Sequence, residues 1–86
     1  MTHNHANVLR DLADYQARCA VAAGEAAAVH RRRAETNADL EAIVAHAHQQ
    51  ARNRDADREV YLAREAALLA GAAALEAQHT LTEAAA

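Results

Sequence analysis

Six histidines, one cysteine, nine arginines and twelve carboxylates are the residues here whose chemistry could matter. A metal site on a helix needs two ligands at i, i+3 or i, i+4 so that they converge. His46 and His48 are two apart, which turns them about 200° from one another. His30 and His79 stand alone in sequence. His3 and His5 are close, and an intact Met1-Thr2-His3 start would offer copper or nickel an amine and an imidazole. Thr2, however, is small enough for Met1 to be removed, and that geometry goes with it. The sequence therefore predicts no metal site and no cofactor. A histidine-based metal-binding bundle, with ligands meeting across helices, is a lesser alternative.

Cys19 falls in an apolar stripe with no histidine or cationic group placed to activate it, so it reads as a small packed hydrophobe. The chain contains no serine and no glycine-rich loop, which removes serine nucleophiles and phosphate cradles. Its carboxylates are spread along polar faces as solvating charge. No enzyme is expected from this inventory.

Arg31, Arg32 and Arg33 form the strongest local signal. Consecutive residues on a helix point about 100° apart, so these three fan around the cylinder and cannot line one groove. At a helix C-terminus they complement the macrodipole and the last carbonyls. Glu35, Asp39 and Glu41 follow them and suit the start of a next helix. The triplet thus reads as a joint, with its guanidinium groups as polar contacts for a partner. A phosphate-binding role for Arg31, Arg32, Arg33, Arg52, Arg54 and Arg58 is a second alternative, but the net charge is −3 and nucleic-acid binders are commonly basic. Nucleic acid is not the expected partner. The charge is unevenly placed, +2 over residues 1–34 and −5 over 35–86. That asymmetry can steer helix association.

The elements that carry these residues are helices. The chain has 27 alanines, no proline and two glycines, and alanine is the best helix former. From Val8 the larger apolar residues alternate four and three apart: Val8, Leu12, Tyr15, Cys19, Ala22, Ala26 and Val29. This is a heptad stripe. It breaks at Arg33 and Thr36, then resumes at Leu40, Ile43 and Ala47. A polar stretch, residues 48–59, separates it from Tyr61, Leu62, Leu68, Leu69, Ala72 and Leu75. Thr36 followed by Asp39 resembles a capping box, and Asn53–Asp55 are poor helix formers.

The spacing predicts an all-α fold, a small bundle of two or three antiparallel helices over about 6–34, 37–52 and 56–79. These form one helical domain, 6–79, between a flexible N-terminus (1–5) and a frayed tail (80–86). If the break at 53–55 is absent, the chain is a long helical hairpin; if both breaks fail, it is a coiled-coil rod. In an up-down-up bundle the small-residue patches around Gly24 and Gly71 would lie at similar heights on parallel helices.

Alanine buries little area, and 18 larger residues make up the rest of the apolar class. Small chains with a thin core usually need a disulfide, a metal or a partner, and one cysteine gives no internal disulfide. The expected partner is a second copy, a larger protein, or both, met through the heptad face. Val8, Leu12, Tyr15, Cys19, Val29, Leu40, Ile43, Tyr61, Leu68 and Leu75 are the candidate contacts. The residue types and spacing thus point to a non-enzymatic protein-binding module. Its role would be accessory, adaptor, assembly or inhibitory, as in many small phage and mobile-element proteins. The start lacks a charged and apolar leader, and the longest apolar run, Ala66–Leu75, is half a membrane span. A cytoplasmic protein with no membrane contact is expected, and a lone cysteine fits a reducing compartment.

Overall fold

A computed structural model describes the backbone of residues 2–85 and the side chains of residues 5–85. Two helices, α1 (Thr2–Thr36) and α2 (Glu41–Ala85), fold back on one another. The hairpin measures 71 × 13 × 12 Å, with a Cα radius of gyration of 19.7 Å. A compact chain of this length would have a radius near 12 Å. The molecule is therefore a two-helix rod, closed along one seam. No helix is long and apolar enough to cross a membrane among the described residues.

The joint lies where the arginines put it. Arg33 stands in the last turn of α1 and Glu41 in the first turn of α2, each matched to the partial charge of its helix end. The C-terminal carbonyls of α1 are satisfied locally. The Arg33 carbonyl accepts from the Asn37 backbone N–H at 3.1 Å and from Asn37 Nδ2 at 2.8 Å. The Arg32 carbonyl accepts from Thr36 Oγ1 at 2.9 Å. Thr36 thus closes the helix behind it, and the capping box expected with Asp39 does not form. The Leu40 N–H donates to the Asn37 carbonyl at 2.8 Å to make the turn, and the Leu40 carbonyl accepts from the Val44 N–H at 3.0 Å. The turn uses no left-handed residue.

The break expected at 53–55 is absent, and α2 runs unbroken through it. Three interactions hold the polar stretch helical. Gln49 Nε2 donates to Asn53 Oδ1 at 2.9 Å, Arg54 pairs with Asp57 at 2.9 Å, and Arg31 of α1 reaches across to Asp55. Low intrinsic propensity costs tenths of a kcal/mol per residue, less than such pairs and packing return. The segments expected to be flexible (1–5) and frayed (80–86) are helical wherever the structure describes them, from Thr2 and to Ala85. With two antiparallel helices there is no parallel pair to bring the glycine patches together. A Cβ on Gly24 would meet Arg58, and one on Gly71 would meet Leu9.

The seam itself is alanine. Ala6, Ala13, Ala20, Ala27 and Ala34 recur every seven residues along α1 and are at most 4% exposed. Leu9, Gln16, Ala23 and His30 interleave three residues on, buried or half-buried. On α2 the buried residues are Ala47, Ala51 and Ala72. Arg58 lies between them in the heptad and lays its aliphatic stem toward Gly24, as long cationic side chains do. No large side chain is fully buried among the described residues. Ion pairs Arg10–Glu76 and Arg31–Asp55 tie one flank of the seam, three heptads apart on each helix.

Two changes test this seam. Ala20→Leu forces a larger group between closely packed backbones and is expected to destabilise the hairpin by about 1–3 kcal/mol. Gln16 Oε1 is buried without a hydrogen-bond partner, which costs about 1–3 kcal/mol. Leu9 shows that this heptad position accepts leucine. Gln16→Leu is therefore expected to raise the melting temperature, and thermal unfolding of both variants at a fixed low concentration reads the two signs.

Candidate functional site: an apolar face beside the seam

The larger apolar residues of α1 do not close the hairpin. Val8, Leu12, Tyr15, Cys19, Ala22, Ala26 and Val29 each precede a seam residue by one position. That offset rotates them about 100° around the helix. Tyr15 is 56% exposed, Val8 55%, Val29 48% and Leu12 47%; Cys19 and Ala26 are half-buried and Ala22 is exposed. The α1 residues that face α2 are instead the alanine series with Leu9, Gln16, Ala23 and His30 between them. The stripe forms a lengthwise face of its own.

On α2, Tyr61, Leu68 and Leu75 are half-buried and recur every seven residues. Tyr61 lies beside Cys19, Ala22 and Ala26. Together with Arg54 and Asp57 they line an open groove of about 220 Å³. Helical periodicity carries Leu68 and Leu75 along the same side of α2 as Tyr61. The α1 stripe and these α2 residues therefore border one side of the hairpin, opposite the flank with the two interhelical ion pairs. Arg64 sits 5.9 Å from the centroid of the Tyr61 ring, within cation–π reach. Leu40 and Ile43, at the turn end, are also exposed, at 48% and 40%.

The polar candidates are spread out. Arg31 is engaged by Asp55, Arg54 by Asp57 and Arg58 by Glu59 at 3.4 Å. Arg32 and Arg33 are exposed on different sides of the helix. Arg52 donates to Gln49 Oε1 at 2.7 Å. No three His, Cys, Asp or Glu side chains converge as metal ligands among the described residues. Met1 and the His3 side chain, named above for a copper- or nickel-binding start, lie outside the described residues. His30 Nδ1 is buried at the seam without a hydrogen-bond partner, a position that only the alanine register reveals.

Tyr15 and Cys19 are neighbours one turn apart on the apolar face. A hydrogen bond with Cys19 raises the Tyr15 hydroxyl above its ordinary pKa, and the charge of the Cys19 thiolate adds to this. No protein-family model matches the chain, and neither the search of curated proteins nor that of solved structures finds a similar one. Cys19→Ala is expected to bring the Tyr15 pKa down toward the ordinary tyrosine range, seen as a lower midpoint in an ultraviolet phenolate titration. An unchanged midpoint would mean that the two groups do not interact.

Proposed function

We propose that the chain is a non-enzymatic helical interaction module that binds protein through the apolar face of α1. One observation carries the reading: the hairpin closes on alanine methyls and leaves Val8, Leu12, Tyr15 and Val29 outside. Full burial of a valine- or leucine-sized side chain contributes about 1.5–3 kcal/mol, against about 0.8 for a single CH₂ or methyl-sized increment. The hydrophobic energy of covering these four side chains is therefore not used in the isolated hairpin. Monomeric proteins seldom leave so continuous an apolar strip to water. A partner would gain from covering it, and the rigidity of two long packed helices keeps the ordering cost low. Tyr15 and Tyr61, as the aromatic side chains at this face, are its natural anchors. A role as an accessory, adaptor, assembly or inhibitor protein follows from such a surface without any catalytic group.

The double substitution Leu12→Glu with Tyr15→Glu tests this reading. It leaves the alanine seam untouched, so helicity at low micromolar concentration should stay within a few per cent of the parent. Association and the binding of an apolar fluorescent dye should both be lost. Collapse of helicity would show that the stripe is the hairpin's own core, and persistence of dye binding would place the sticky surface elsewhere. Either result overturns the reading.

A further inference from the structure

Resting on the reading of the apolar face as a docking surface, we infer that its occupant is a second copy of this chain. The α1 helices of the two copies pair antiparallel about a two-fold axis near residues 19–22. Two independent patterns on α1 support this.

The first is size. The stripe is bulky in its N-terminal half, Val8, Leu12 and Tyr15, and small in its C-terminal half, Ala22 and Ala26, closing on Val29. Antiparallel pairing lays Tyr15 across from the other copy's Ala26 and Cys19 across from its Ala22, with Leu12 meeting Val29 and Val8 meeting Arg33. Parallel pairing in register would set tyrosine on tyrosine and leave alanine facing alanine. Alternating large and small residues is how facing helices fill space evenly.

The second is charge. Along the edge of the stripe away from α2 run Asp11, Arg18, Glu25 and Arg32, every seventh residue and alternating in sign. All four are exposed. Within the hairpin Arg18 reaches Asp14 on its own helix, at 3.5 Å, and among the described residues the other three have no ion-pair partner. In a coiled coil the residues flanking the seam choose orientation and partner by such pairs. The antiparallel alignment that sets Leu12 near Val29 also sets Asp11 beside the other copy's Arg32 and Arg18 beside its Glu25. The two-fold axis repeats each pair, giving four. A parallel in-register pairing puts the two rows on opposite sides of the dimer interface, where these charges do not meet.

The test is sedimentation velocity across a hundredfold concentration range at low salt, with helicity followed by circular dichroism. The expected parent is a dimer. Asp11→Arg or Arg32→Asp alone each turns two attractive pairs into two repulsive ones. Each is expected to weaken the dimer about tenfold, given exposed pairs of a few tenths of a kcal/mol each. The double variant Asp11→Arg with Arg32→Asp should restore it. For orientation, Leu12→Cys with Val29→Cys in a Cys19→Ala background should cross-link covalently on oxidation, whereas Leu12→Cys alone should not. Cross-linking of Leu12→Cys alone, or charge reversals without effect and without rescue, would overturn the antiparallel pairing. A helical monomer at every concentration would overturn the second copy as occupant. Dye binding by that monomer, lost in the Leu12→Glu, Tyr15→Glu variant, would leave the docking face standing for a different partner. A monomer that binds no dye would sink both.

Discussion

Five alanines at every seventh position of α1 set the terms for the rest of this molecule. A methyl is the largest group that the seam holds at Ala6, Ala13, Ala20, Ala27 and Ala34 without pushing the helices apart. Close approach over their whole length makes the hairpin a rod rather than a globule. It also dictates what the seam excludes. Once the axes are this close, a leucine or tyrosine has no room at these five positions, and the stripe of larger residues lies outside the seam. The thin core and the exposed stripe are consequences of one steric choice.

That choice sorts the two flanks of the seam. On one, arginines from α1 meet carboxylates from α2, Arg10 with Glu76 and Arg31 with Asp55, three heptads apart on both helices. Exposed pairs of this kind add little stability individually, but they fix the longitudinal register, because a slip of one residue separates both at once. On the other flank the apolar residues of α1 lie beside Tyr61, Leu68 and Leu75. The uneven division of charge between the helices, basic α1 and acidic α2, is thus used within the hairpin. Asp11, Glu25 and Arg32, at the far edge of the apolar stripe, remain outside that internal exchange.

The helical class, the joint after the arginine triplet and the heptad period are all legible from residue types, because propensity, charge placement and spacing agree there. The face that closes is not. With 27 alanines in the chain, a run of five at heptad spacing does not stand out, and the eye follows the larger residues at 8, 12, 15 and 19. These have the same period as the seam, one residue out of phase, so periodicity alone cannot choose between them. The continuity of α2 through Asn53–Asp55 was hidden for a different reason. Two of the interactions holding that stretch are local side-chain pairs that spacing could suggest, but the Arg31–Asp55 pair exists only once α1 is folded alongside. The Thr36–Asp39 spacing misled because the threonine hydroxyl finds a carbonyl behind it before an amide ahead of it. For the candidate site, the α1 contacts named from the stripe lie together beside the seam, Cys19 half-buried and the others exposed, and what residue types did not single out is the alanine series that closes the hairpin.

The tight turn at 37–40 also gives the rod a direction in time. Arg31 and Asp55 are 24 residues apart in sequence, whereas Arg10 and Glu76 enclose most of the chain. Loop-closure entropy grows with the length enclosed, so contacts nearest the turn form at least cost, and each one shortens the loop that the next must close. The hairpin therefore assembles as a zipper running from the turn toward the termini, within the fast regime of chains dominated by local contacts. Opening runs the other way. The end carrying Arg10 and Glu76 is the last to close and the first to part, while the arginine joint is the hinge pin on which every cycle turns.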